Sequence, residues 1–197
     1  PSVSPDMSLD VQMLAQFRRW LLFRHGESHS VSIFVQTSDI SRGCQILSTG
    51  HDPTRRLRVA SFSDVVACRR NVSLRVVAEG SATQVKHPRW QTWNENCFWV
   101  EWEKNLASCL LSHVKNLERQ KVDRSREVLA LCTGDGEIAR TVERVARRGW
   151  QVEIWCWRAT CDSAYRTLAQ SGHVKIYFLD DYRLQITQYG LGEPHED

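Results

Sequence analysis

Six short apolar runs, each strand-length and each separated from the next by a longer linking stretch, constrain this 197-residue chain more than any other feature. They are Val31–Val35 (VSIFV), Ser73–Ala78 (SLRVVA), Cys97–Trp102 (CFWVEW), Glu127–Cys132 (EVLALC), Val152–Trp157 (VEIWCW) and Val174–Leu179 (VKIYFL). Short runs that are apolar nearly throughout belong to strands covered on both faces. Between them lie helical stretches. Ser61–Arg70 is one; Leu106, Leu110, Val114 and Leu117 recur at helical spacing in the next; Glu137–Arg148 carries Ile138, Val142, Val145 and Ala146 on one stripe before Gly149 stops it; Asp162–Gln170 is the last. Pro88–Asn96 reads as a short helix or loop. Strands alternating with helices of this length predict an α/β fold, a three-layer α/β/α sandwich around a mostly parallel sheet.

An extra helix is expected ahead of that unit. Val11, Leu14, Phe17, Leu21 and Leu22 share one face, after a polar cap at Ser8 or Asp6. The expected organisation is therefore a helical extension over 1–29, the α/β domain over 30–185 and a tail over 186–197. The first residues, PSVSPD, lack Met and read as those of a fragment or processed chain, and the added helix is the natural surface for a protein partner. With 42% hydrophobic residues and no low-complexity tract, disorder is excluded, and no apolar segment reaches the ~18 residues of a membrane span. The seven cysteines form no C-x-x-C pair and sit mostly in apolar runs, which favours a reducing compartment, cytoplasm or nucleus. The histidines are scattered, so a zinc finger is not expected. Of the 26 basic residues 21 are Arg, the side chain suited to bidentate phosphate contact, although a net charge of +3 does not by itself indicate nucleic acid.

In a parallel sheet, chemistry collects at the carboxyl ends of the strands, near the point where strand order reverses. That selects Gln36-Thr37-Ser38-Asp39 after the first run, Glu101, Glu103 and Asn105 around the end of the third, Thr133–Glu137 after the fourth, and Asp180-Asp181 after the last. The fourth is the most informative. In LALCTGDGEIARTVERVARRGWQVEIW a buried strand enters a turn with two glycines, and an acid opens the following helix. Asp135 is placed to face a cleft, and Glu137 stands where the helix dipole favours negative charge. Both also have a plain structural use, Asp135 as a cap and Glu137 as a dipole complement. Glu101, Glu103, Asp180 and Asp181 read equally well as solvated strand ends and are given no role.

The order IFVQTSDISRGCQ, SLRVVAEGS, EKNLASCL, LALCTGDGEIARTVERVARRGWQVEIW, KIYFLDDYR resembles the NYN family of PIN-like ribonucleases from about Ser30 to Arg183. The strand-TGDGE-helix-RRGWQVEIW portion is its specific part. The resemblance implies an α/β/α sandwich, single-stranded RNA as partner, and clustered carboxylates that hold Mg²⁺ or Mn²⁺ when the enzyme is active. It also implies an Asp, a small residue, Ser and Asn after the first strand, where this chain reads Gln36, Thr37, Ser38 and Asp39. A second acid, expected at the start of a helix after the third strand, is matched by Asn105. Asp135 keeps the third, and Glu137 lengthens the last. Two expected acids are thus amides, while Asp39 is a new one.

A Gln or Asn oxygen brings no formal charge to a divalent ion and cannot serve as a general base. Two readings follow. One is an RNA- or protein-binding module with a degenerate acidic cleft and weak or no nuclease activity. The other is an active metal-dependent endoribonuclease, with Asp135, Asp39 and Glu137 as catalytic residues and Asp135 and Asp39 as metal ligands. Asp39 has a structural alternative as a cap for the turn or helix starting at Ile40. A Rossmann-like small-molecule enzyme is disfavoured, because G-x-G-x-x-G does not follow the first strand. For RNA contact the candidates are Arg89, Trp90 and Trp93 in a polar stretch, and Arg140 and Arg144 on the fourth helical stretch, aromatic rings stacking bases and Arg meeting phosphates. Trp99, Trp155 and Trp157, lying in strands, are expected to pack in the core.

Overall fold

The computed structural model describes residues 29–47, 50–51, 55–79, 93, 95–96, 98–102 and 105–189. The expected helix over 8–23, with Arg89 and Trp90, lies outside them. Three strands form one half of the main sheet: β1 (Ser30–Gln36), β5 (Asn71–Glu79) and β6 (Trp99–Trp102). The other half is β7 (Glu127–Cys132), β8 (Gln151–Cys156) and β9 (Lys175–Phe178). The order is β6-β5-β1-β7-β8-β9, and every neighbouring pair is parallel. Counting only these six strands, that is 3-2-1-4-5-6, so the order reverses between β1 and β7. Val35 lies abreast of Cys132 in the register, which brings the next residue of each strand, Gln36 and Thr133, level at the sheet's carboxyl edge.

Helices cover both faces, as the continuous apolar runs required. On one side α3 (Leu106–Arg119), α4 (Ala139–Arg147) and α5 (Ser163–Gln170) pack Leu110, Val114, Val142, Val145, Tyr165 and Leu168 onto Phe34, Leu129, Leu131 and Ile154. On the other, α1 (Thr37–Gln45), α2 (Val59–Ala67) and the short α6 (Arg183–Ile186) bring Ile40, Phe62, Val66 and Ile186 against Ile33, Val35, Ala130 and Trp155. Alternate residues of each strand thus feed two separate cores. The three-layer α/β sandwich expected from the sequence is what the chain forms. Among the described residues no helix is long and apolar enough to cross a membrane.

Several local expectations are corrected. Helix α1 begins directly after Gln36, ahead of the turn or helix expected from Ile40. The helix expected over Ser61–Arg70 runs instead from Val59 to Ala67, closed by Cys68 and Arg69 at positive φ (48° and 62°). Two antiparallel ribbons accompany the sheet: β2 (Ile46–Leu47) with β3 (Gly50–His51), and β4 (Arg55–Leu57) with β10 (Thr187–Tyr189). Because β10 pairs with β4 and Ile186 is buried, the fold extends to Tyr189 and no tail begins at 186. Trp155 and Trp157 pack as expected, but Trp99 is 67% exposed on the edge strand β6. Trp93 shows the opposite error: it is buried edge-on between Phe62 and Phe98, so its ring faces are closed to a base.

The amino edge of the sheet is closed by a buried carboxylate. Glu127 accepts hydrogen bonds from Ser30, from Ser32 at 2.6 Å and from Ser73 at 2.7 Å, and Ser32 also bonds His113 Nε2 at 2.8 Å. Burial lowers the His113 pKa, only partly opposed by the Glu127 charge. These hydroxyls satisfy a group that would otherwise be costly to bury.

Candidate functional site

The crevice at the switch point is built from the ends of β1 and β7. Thr133 Oγ1 hydrogen-bonds to Gln36 Oε1 at 3.1 Å and to Asp39 Oδ2 at 2.7 Å. The same Asp39 oxygen accepts the backbone N–H of Gly134 at 3.2 Å and of Asp135 at 3.0 Å. One carboxylate from the first turn of α1 therefore bonds the TGDGE turn, 94 to 96 residues away. Its alternative use, as a cap on its own helix, is replaced by a cap on a neighbouring loop: Asp39 lies inside α1, not before it.

The turn itself is braced from behind. Asp135 accepts the Glu137 N–H at 2.9 Å, capping the single 3₁₀ turn Gly136–Ile138 that leads into α4. Its backbone carbonyl accepts the Tyr165 hydroxyl at 2.7 Å. Burial, together with the charges of Asp135, Cys156, Asp39 and Asp162, raises the Tyr165 pKa well above that of a free phenol, so the hydroxyl keeps its proton. The two glycines are required by close approach. A Cβ on Gly134 would lie 2.2 Å from the Thr160 carbonyl oxygen, and one on Gly136 would lie 2.4 Å from the Asp162 carboxyl carbon. Asp162 also donates its N–H to the Gly134 carbonyl at 3.0 Å and caps α5 through Ala164.

The sequence-derived site residues separate into two groups. Gln36, Asp39 and Asp135 converge on one turn through Thr133. Asn105 does not join that bonded cluster; its Oδ1 accepts Ser108 N–H at 2.8 Å and caps α3, which is where a helix-opening amide belongs. Glu137 is exposed beside the turn, and Arg140 and Arg144 are exposed along α4, the first of them one residue past the start of the helix. Sequence reasoning missed Thr160, Asp162 and Tyr165, the residues that hold the turn. Asp162 had a legible signal as a helix cap; Thr160 and Tyr165 had none, since their contacts are set only by tertiary packing.

The donor set was tested against the divalent ion that the resemblance implies, and it does not fit. Mg²⁺ and Mn²⁺ need several hard anionic oxygens directed at one point. Here Asp39 directs one oxygen at two N–H groups and a hydroxyl, whose dipoles present positive ends and so repel a cation at that position, while Asp135 gives one oxygen to a cap. Among the described residues no three His, Cys, Asp or Glu side chains are grouped to hold a metal. A dinucleotide loop does not fit either, because α1 follows β1 without an intervening glycine turn.

These features define an α/β/α sandwich with a hydrogen-bonded polar crevice at its switch point. No family model matches the chain, and no curated protein matches it. Among solved structures it is similar to a protein of unknown function from Vibrio parahaemolyticus, with a TM-score of 0.52 and 12% identity, over 79% of this chain and 95% of that one. At that identity the likeness concerns the fold.

Proposed function

We infer that this chain is an NYN-type, PIN-like domain retained as a single-stranded RNA-binding module, with weak or no nuclease activity of its own. The observation that carries the reading is the inward commitment of Asp39, whose carboxylate oxygen satisfies three donors of the TGDGE turn. A catalytic cleft of this type needs carboxylates that remain available to a cation and a water. This one spends its acids on holding a loop, and Gln36 cannot take a proton. Support for an RNA partner is the Arg-rich composition and the exposed pair Arg140 and Arg144 beside the crevice. Buried Trp93 is withdrawn from the proposed contacts.

Fluorescence polarisation of labelled single-stranded RNA across salt concentrations, paired with a cleavage assay in Mn²⁺, tests this. Affinity is expected to fall linearly with log salt, with a slope of about 0.7 per phosphate contacted. Replacing Arg140 and Arg144 by Ala should lower both affinity and slope. Cleavage is expected to be equally slight for the native chain and for Asp135→Asn. Mn²⁺-dependent cleavage that disappears in Asp135→Asn would establish the endoribonuclease reading instead, and the absence of RNA binding at low salt would leave the protein-binding one.

A further inference from the structure

We propose that Cys156 and Cys161 form a reversible disulfide in response to hydroperoxides, an oxidative modification site that braces the TGDGE turn from behind. Cys156 is the last residue of β8 and fully buried; Cys161 lies five residues later, partly exposed, just ahead of α5. The loop between them folds back, with Thr160 N–H bonded to the Trp157 carbonyl at 3.1 Å, so the two thiols meet and share a hydrogen bond.

The environments of the two sulfurs differ in the way a reactive and a resolving cysteine require. The S–H of Cys156 directed at Cys161, with Arg166 nearby, outweighs partial burial and the Asp162 charge, and holds the Cys161 thiol down to about 7. Cys156 is shifted upward by donating that hydrogen bond and by burial, with Asp180 adding to the effect and Arg166 opposing it. Cys161 is thus the nucleophile and Cys156 the protonated partner.

The step balances with one hydroperoxide as oxidant. The Cys161 thiolate attacks the distal peroxide oxygen; an S–O bond forms, the O–O bond breaks, and the departing oxygen is protonated, as water when the oxidant is hydrogen peroxide. Cys156 then gives up its proton and attacks the Cys161 sulfur; the S–S bond forms, the S–O bond breaks, and the second hydroxide leaves as water. Two thiols lose two electrons in all. The resulting link closes the segment that carries Thr160 against Gly134 and leads into Asp162 against Gly136, so oxidation staples the support of the crevice to the end of β8.

The test uses the full chain and hydrogen peroxide. Arg158 lies between the two cysteines, so trypsin separates them into Gly149–Arg158 and Ala159–Arg166. After peroxide, blocking of free thiols and digestion, mass spectrometry should find most of this pair as one linked species, lighter than the summed peptides by two hydrogens and split by dithiothreitol. Cys161→Ser should abolish the link. Cys156→Ala should leave a Cys161 sulfenic acid that dimedone traps; because Cys156 is buried, Cys161→Ser is the variant relied on if that one fails to fold. Recovery of both peptides singly, blocked as in untreated protein or with Cys161 carried to sulfinic acid without a link, overturns the proposal.

Discussion

Asp39 gives one oxygen to three donors, so removing it leaves a hydroxyl and two backbone N–H groups of the same turn without their acceptor. Hydrogen bonds to a charged acceptor contribute more than neutral ones, and an unsatisfied donor costs further free energy. Asp39→Ala is expected to destabilise the fold by about 2–4 kcal/mol in urea titration. Asp39→Asn keeps an acceptor oxygen and should cost roughly 1 kcal/mol. Equal losses in the two variants would mean that the charge, and not the acceptor, holds the turn. A second residue-scale expectation concerns reactivity. The Cys161 pKa is lowered, so its thiolate is present above about pH 7 and lost as pH falls through that value. The groups that set it are Cys156 at the end of β8, Asp162 at the cap of α5 and Arg166 on α5. Maleimide labelling of Cys161 should therefore reach half its plateau rate near pH 7, and a midpoint near that of a free cysteine would contradict the hydrogen-bonded arrangement.

Elements are held to the sheet by side chains of very different burial, and the contrast can be measured. Leu110 on α3 is fully buried, while Leu184 on α6 is 77% exposed. Leu110→Ala removes buried methyl groups and leaves a cavity, at a cost of about 2–5 kcal/mol, whereas Leu184→Ala should stay within about 0.5 kcal/mol. Chemical denaturation of both variants checks the pair; a comparable loss at Leu184 would require a packing partner for that exposed side chain. The six strands were legible because each is sandwiched between helix layers and leaves an unbroken apolar run. Helix α1 was not, since it offers only Ile40 and Cys44 at helical spacing among Ser, Asp and Gly. Trp93 was misplaced for a related reason: its neighbours in sequence are polar, but its neighbours in space are Phe62 and Phe98. Trp99 misled in the other direction, because a strand at the sheet edge can turn a large ring outward.

At the scale of the whole molecule, the strand order brings the ends of β1 and β7 together, so residues nearly a hundred positions apart build one crevice. The TGDGE turn could be placed at a strand tip from sequence alone, but the bond from Asp39 could not, since nothing local links the two segments. Relative to the pattern that the sequence resembles, acid and amide have exchanged places: Gln36 stands where an Asp is expected, and Asp39 where an Asn is. The double exchange Gln36→Asp with Asp39→Asn therefore keeps the net charge of the crevice while moving the carboxylate from the loop-holding position to the strand end. The amide introduced at position 39 would still offer an oxygen to the turn. The carboxylate introduced at position 36, on a side chain one methylene shorter than that of Gln36, would be freed from reaching Thr133. Calorimetric titration with Mn²⁺ should show tighter binding for the double variant than for the native chain, with a melting temperature lowered no more than in Asp39→Asn alone. Unchanged Mn²⁺ affinity in a folded double variant would show that the exchange of acid and amide is not what separates this crevice from a metal site.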